Sequence, residues 1–430
     1  MTLSKRSKTL AGNPSAMGAI SVEGGKRQGR RVVVTGMGAV CATGLSATEF
    51  WRNGREGVCG IETRTIHSDD GLSITVPVAQ MDGFGEKFTD LGRDFARADL
   101  FSRYAGATAD EAIADAGIDF SNGLGNRTAT IIGTGIGGQH SLEQTYINML
   151  CKGKRPHPLT VLRLIPNAAA SLLSIRYGLK GPSFAISSAC ASGAHAIGVA
   201  ADLIRTGGAD AAVAGATEAV VNKGNLDAWK AMHILSDTVC RPFSKNRKGL
   251  VIGEGAGVLV LEEYESAKAR GANIHAEIVG FGMNADGNDM INPAVEGAAG
   301  AMRTALDGIK INDPSAVYIN AHGTGTLMND PTETAAIRTI FGSDADALAV
   351  SSTKSMHGHL LGAAGGVEAV MAIMALKEGV IPPTINYDEP DPECDLDVTP
   401  NEARQRKVDL AVSNSFAFGG LNAVLAFAQV

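Results

Sequence analysis

Phe184-Ala185-Ile186-Ser187-Ser188-Ala189-Cys190 is the stretch on which the fold turns, because a short, apolar, β-prone run ends there and a helical pattern begins. From Ala191 to Arg205, Ile197, Ala200, Ala201 and Ile204 recur at helical spacing until Gly207 and Gly208 stop the run. Cys190 therefore stands at a helix start. Unpaired N–H groups and the positive end of the helix dipole are expected to favour a thiolate there. Taken alone, the turn also fits a buried structural cysteine.

The same step returns at Val350-Ser351-Ser352-Thr353-Lys354: an apolar strand, Ser-Ser, a polar turn and a helix, with Lys354 in the place of Cys190. Recurrence after about 160 residues suggests two related halves facing one site, with chance similarity of two short units as the rival reading. The boundary is expected near Gly271 to His275. That gives a basic extension over residues 1–30 and halves at 31–273 and 274–430. Ten β-like runs begin at Arg31, Thr128, Phe184, Ala211, Gly257, Ala276, Ala316, Leu348, Leu410 and Ala423. Helical stretches such as Ala105 to Ala116 and Gly297 to Gly308 separate many of them, so the fold class is α/β in layers.

At 430 residues, 44% hydrophobic with 53 glycines, the chain can bury two core-sized units. No apolar run reaches the roughly 18 residues that span a bilayer, and no secretory stretch opens the chain, so a cytoplasmic protein without membrane contact is expected. The six cysteines lack CxxC pairing, which argues against a zinc site and a disulfide scaffold. Residues 1–31 carry seven Lys or Arg and one acid, leaving 31 basic against 44 acidic residues, net −13, in the rest. Nucleic acid is an improbable partner for such a body. The polar, aperiodic first 30 residues read as a flexible extension, a mis-set start codon or, less well, a targeting segment.

The second half holds two histidine segments. A strand runs from Ala316 to Asn320 into Ala321-His322-Gly323-Thr324-Gly325-Thr326, and Lys354-Ser355-Met356-His357-Gly358-His359 opens the helix containing Glu368. Both follow strand ends, where open α/β folds bind ligands, so Cys190, two histidines and Lys354 form a candidate site.

Four segments in order, Ser188-Ala189-Cys190-Ala191-Ser192-Gly193, Asn320 to Thr326 with Asn329-Asp330, Ser352 through His359, and Asn414-Ser415-Phe416-Ala417-Phe418-Gly419-Gly420, resemble the β-ketoacyl-acyl-carrier-protein synthases, type II branch. The resemblance covers residues 31 to 430. It implies a thiolase-like duplicated five-layer α/β/α/β/α fold, a homodimer, and acyl carrier protein, acyl- and malonyl-loaded, as partner. It also implies decarboxylative two-carbon elongation in fatty acid biosynthesis with no metal or other cofactor. Cys190 becomes the acyl-accepting nucleophile, His322 and His359 the decarboxylation pair, Lys354 their support held by Glu368, and the N–H groups of Cys190 and Phe418 the oxyanion hole. Ile136 corresponds to the residue that limits chain length, and Phe416 and Phe418 to the gate. Arg93, Arg97, Lys154, Arg155 and Lys230 match basic docking positions for the acidic carrier.

Ala417 stands where the family has glycine, Leu421 where it has threonine, Gly325 for serine, His357 for threonine and Lys248 for aspartate. His357 and the closing Asn422-Ala423-Val424-Leu425-Ala426-Phe427 also resemble nodulation-type ketosynthases, so a specialised acyl or polyketide product is the alternative. A thiolase needs a second cysteine near the carboxyl end, whereas Cys394 lies in an acidic loop. A chain-length-factor subunit would lack the active cysteine. Gly133 to Gly138 spells GxGxxG without the later acid of a dinucleotide site, and Ser351 to Lys354 spells SxxK without a following KTG. His357-Gly358-His359 has no third metal ligand at suitable spacing nearby.

Overall fold

The computed structural model describes residues 20–22 and 29–430. Ten strands build one continuous sheet: β1 (Val32–Cys41), β2 (Thr128–Gly133), β3 (Ser183–Ile186), β4 (Ala211–Glu218), β5 (Gly255–Glu263), β6 (Ala276–Ala285), β7 (Val317–Asn320), β8 (Ala349–Ser351), β9 (Leu410–Ala417) and β10 (Leu421–Ala428). Their order is β3-β2-β4-β5-β1-β6-β10-β9-β7-β8. Counted outward from the β1–β6 junction, each half runs first, fifth, fourth, second, third in its own chain order. Within this sheet, among the described residues, Ala276↔Val34 and Glu277↔Val33 join the halves. The pairing senses repeat as well, with β2 parallel to β3 and β4, and β7 parallel to β8 and β9.

Five helices complete the layers: α1 (Leu100–Ala116), α2 (Ser192–Arg205), α3 (Val295–Leu306), α4 (Asn329–Phe341) and α5 (Ala364–Glu378). Helix α1 covers the outside of the first half-sheet, and α3 covers that of the second with α4 against it. Between the two half-sheets lie α2 and α5, whose apolar side chains share one core with β1, β5 and β10. Burial on every side explains why α5 reads as apolar nearly all round. The central layer is tight because glycines meet there. A Cβ on Gly257 would lie 2.3 Å from the Gly366 carbonyl carbon, and one on Gly193 would lie 2.7 Å from the Gly366 nitrogen.

Most of the basic extension lies outside the described residues. Its Ile20–Val22 pairs antiparallel with Ile309–Ile311, so the expected flexible stretch includes a short strand. A second correction concerns the repeat. Ala189 (φ 47°) precedes α2 by three residues and Leu361 (φ 46°) precedes α5 by three, so the structural counterpart of Cys190 is Gly362. The second half inserts Lys354–His357 as a separate helical turn ahead of α5, which is why the Ser-Ser signals align while the side chains do not. Among the described residues, no helix is long and apolar enough to cross a membrane.

Candidate active site

Strand β3 ends at Ile186, and the chain turns through Ala189 in the left-handed region, a conformation costly for a residue with a Cβ. Ser192 holds the turn: its Oγ accepts from the Ser188 N–H at 2.9 Å and donates to the Ala189 carbonyl at 2.7 Å. The strained turn delivers Cys190 to a cavity of about 260 Å³ that His322, His359, Phe416 and Phe418 also line. Cys190 is 5% exposed. Burial pushes its thiol up to about 12, against the pull of the Lys354 ammonium and with a further push from Glu218. The expected resting thiolate is thus corrected to a neutral thiol, because desolvation outweighs the nearby positive charge.

His322 follows the end of β7, where its own N–H and that of Gly323 donate to the two oxygens of buried Glu333, at 2.8 and 2.7 Å. Asn414 on β9 donates to the same carboxylate at 3.0 Å, tying the histidine loop to the neighbouring strand. His359 is fixed through its backbone, with its N–H on the Val251 carbonyl at 2.7 Å and its carbonyl accepting from Gly253 at 2.9 Å. The two rings stand edge to face with centroids 5.3 Å apart. Each hides an unpartnered Nδ1 in the protein, so the cavity side of each ring is Nε2. Burial first, and the Lys354 charge second, hold both imidazoles well below the ordinary histidine range. Two neutral rings at neutral pH can each offer an Nε2–H donor.

Lys354 sits behind these rings, fully buried and paired with Glu368 of α5, which is also fully buried. Burial raises the Glu368 carboxyl to about 7 although Lys354 opposes the rise. Lys354 acts on the site through its field and does not line the cavity. His357 points elsewhere: its Nε2 meets Thr353 Oγ1 and its Nδ1 the Gly358 carbonyl, both at 2.9 Å.

Phe416 is buried, and its ring lies 6.1 Å from that of His322. Phe418 is stacked on Trp229 at 6.1 Å, closing one side of the cavity. Ile136 is 38% exposed and outside the cavity lining, so the structure does not bring it to Cys190. Arg93, Arg97, Lys154, Arg155 and Lys230 are all exposed, and Lys230 adjoins cavity-lining Trp229. Lys248 lies at the cavity itself, 3.6 Å from Asp237. Sequence reasoning missed Trp229, Thr324, Thr326 and Met328 in the lining, and Glu333 behind it. Thr324 and Thr326 stood in a quoted motif and were legible there, whereas Trp229 comes from an unremarkable amphipathic helix.

A cysteine thiol at a strained strand-to-helix turn, faced by two neutral imidazoles across a duplicated sheet, defines the thiolase-like condensing acyltransferases. Family comparison agrees and narrows the class. Residues 29–267 match the N-terminal domain of β-ketoacyl synthase and residues 275–388 its C-terminal domain, so the chain belongs to the β-ketoacyl synthase family. It is 46% identical over 402 residues to nodulation protein E of Rhizobium sp. strain N33, covering 93% of this chain and all of that one. It is 43% identical over 408 residues to 3-oxoacyl-[acyl-carrier-protein] synthase 2 of Staphylococcus aureus strain N315, covering 93% and 98%. Among solved structures, a type II PKS acyl-carrier protein in complex with its ketosynthase bound to the hexaketide aligns with TM-score 0.83 and 32% identity, covering 94% of this chain and all of that one.

Proposed function

We propose that this chain is a β-ketoacyl-[acyl-carrier-protein] synthase that lengthens a Cys190-bound acyl chain by two carbons in fatty acid biosynthesis. The single observation that carries the reading is the shared cavity of Cys190, His322 and His359. In the first step the Cys190 sulfur attacks the carrier thioester carbonyl, the carrier's C–S bond breaks, and the thiol proton leaves with the carrier. The N–H groups of Cys190 and Phe418 are assigned to the oxyanion. Malonyl-carrier then loses carbon dioxide as its C–C bond breaks, leaving an enolate oxygen for the two Nε2–H donors. The enolate carbon attacks the acyl-cysteine carbonyl, and the cysteine sulfur departs and regains a proton. A donor pair without net charge stabilises developing negative charge and leaves no ion pair to break for release.

The halves 31–273 and 274–430 are read as the two copies of the duplication, the first supplying Cys190 and the second the His/Lys/His set. Support for a homodimer comes from the open edge of β3 and the apolar side chains exposed in the first half: Leu150 (78%), Val161 (67%) and Ile175 (67%). Ile136 is exposed in the same half, so its assigned part in chain length belongs to the assembled dimer. A mass of one chain in solution would contradict this. Six free cysteines suit a reducing cytoplasm.

One assay tests the reaction: malonyl-carrier supplied with acyl-carriers of graded length, with products identified by mass spectrometry. Two-carbon β-keto products are expected, and their absence at every length would reject the assignment. In the same assay, charge reversal at Arg97 and Lys230 is expected to raise KM for carrier-bound substrate about tenfold while leaving a small thioester within twofold. Equal effects on both substrates would remove the docking assignment. Higher identity to nodulation protein E than to the Staphylococcus enzyme favours a second reading, a specialised acyl chain. A preference for unusually long or unsaturated primers in the graded series would select it.

A further inference from the structure

Glu218 is the last residue of β4, fully buried between the two halves of the site. Its Oε2 accepts the Gly135 N–H at 2.5 Å and the Gly362 N–H at 3.0 Å. Its Oε1 accepts from Thr134 Oγ1 at 3.0 Å and from the Ile136 N–H at 3.4 Å. One carboxylate thus takes donors from two separate turns.

The first turn, residues 134–137, is bound to the nucleophile's own segment. Thr134 N–H donates to the Ile186 carbonyl at 3.0 Å, Ser187 Oγ to the Gly135 carbonyl at 2.9 Å, and Ser192 Oγ lies 3.3 Å from the Thr134 carbonyl. The second turn, Leu361–Ala363, begins two residues after His359 and leads into α5. The two approach as closely as glycine permits: a Cβ on Gly362 would lie 2.1 Å from the Gly135 nitrogen and 2.6 Å from Glu218 Oε2.

We infer that Glu218 is a positioning residue that holds the Cys190 turn and the His359 turn in a single register, so that the acylated sulfur and the decarboxylating imidazole meet one substrate. This rests on the roles proposed above for Cys190 and His359. No apolar group could replace it, because four donors would lose their acceptor, and those of Thr134 and Gly362 are buried. Glutamine is a partial substitute at best, since its amide nitrogen would meet N–H donors where an acceptor is required. The carboxylate also acts on the sulfur, adding to the upward push on the Cys190 thiol.

The test compares Glu218→Gln with Thr134→Val, which removes one donor and leaves the charge. For Glu218→Gln, condensation kcat is expected to fall about tenfold or more with KM for malonyl-carrier within about twofold. Cys190 alkylation by iodoacetamide at a fixed alkaline pH is expected to speed up about threefold or more, because a like charge has been removed. Thr134→Val is expected to lower kcat about threefold with alkylation unchanged. Wild-type kcat and alkylation in a folded Glu218→Gln protein would overturn the inference, and equal acceleration in both variants would show altered access instead of charge. If Glu218→Gln gives no cooperative unfolding transition, an unchanged kcat in Thr134→Val overturns it. Alkylation needs no carrier substrate. A response there with no condensation product from the wild type would refute the proposed reaction and leave the Glu218–Cys190 relation standing.

Discussion

Cys190→Ala abolishes chain elongation, lowering the rate by more than about a thousandfold, and eliminates the acyl adduct that mass spectrometry detects after incubation with acyl-carrier. The size follows from the cavity lining, where no second thiol is present and the oxygen and nitrogen groups of Thr324, Thr326, Lys248 and Asp286 cannot stand in for a sulfur that both accepts and releases the acyl chain. Cys394, the alternative that a thiolase mechanism would need, is buried in the core of the second half and outside the cavity. Decarboxylation should respond differently. His322 and His359 are positioned by Glu333 and by the Val251–Gly253 segment, neither of which depends on the sulfur. Cys190→Ala is therefore expected to keep measurable carbon dioxide release from malonyl-carrier. Retained elongation would refute the assignment of Cys190.

Lys354→Ala is expected to lose both activity and stability. Both members of its ion pair with Glu368 are fully buried, and removing one leaves an unpaired charge without solvent, a loss of about 3–5 kcal/mol on denaturant unfolding. Replacing both, as Lys354→Met with Glu368→Leu, should restore much of that stability because no isolated charge remains. Condensation should stay depressed in the double variant. The ammonium lowers the Cys190 thiol and adds to the burial that keeps both imidazoles neutral, and an apolar pair supplies neither effect. Recovery of activity together with stability would show that the pair matters only for folding.

The ten apolar runs legible in the sequence are the ten strands of the central sheet, because each is short, β-branched or alanine-rich, and bounded by turn residues. What escaped was polar or short. The hairpin Glu62–His67 with Ser73–Ala79 pairs a charged, mostly exposed strand with one whose short Ile74, Val76, Val78 alternation is interrupted by Pro77, so the signal was weak. The candidate site was legible where chemistry needs a particular side chain: Cys190, His322 and His359 line one cavity, with Lys354 outside its lining and paired to Glu368. It was not legible where only backbone matters. Glu218 and Glu333 act mainly on backbone N–H groups, which every residue but proline possesses, and a lone carboxylate gives no pattern. The protonation state of Cys190 was misjudged for a related reason, since helix position can be read from sequence and the depth of burial cannot.

Leu361 and Gly362 repeat, ahead of α5, the backbone that Ala189 and Cys190 adopt ahead of α2. An ancestor of half this length, pairing with itself, would have owned two equivalent catalytic clefts. In this chain the corresponding turn has no sulfur, and the Gly362 amide, placed like that of Cys190, is occupied by Glu218. The second turn thereby serves as scaffolding for the first.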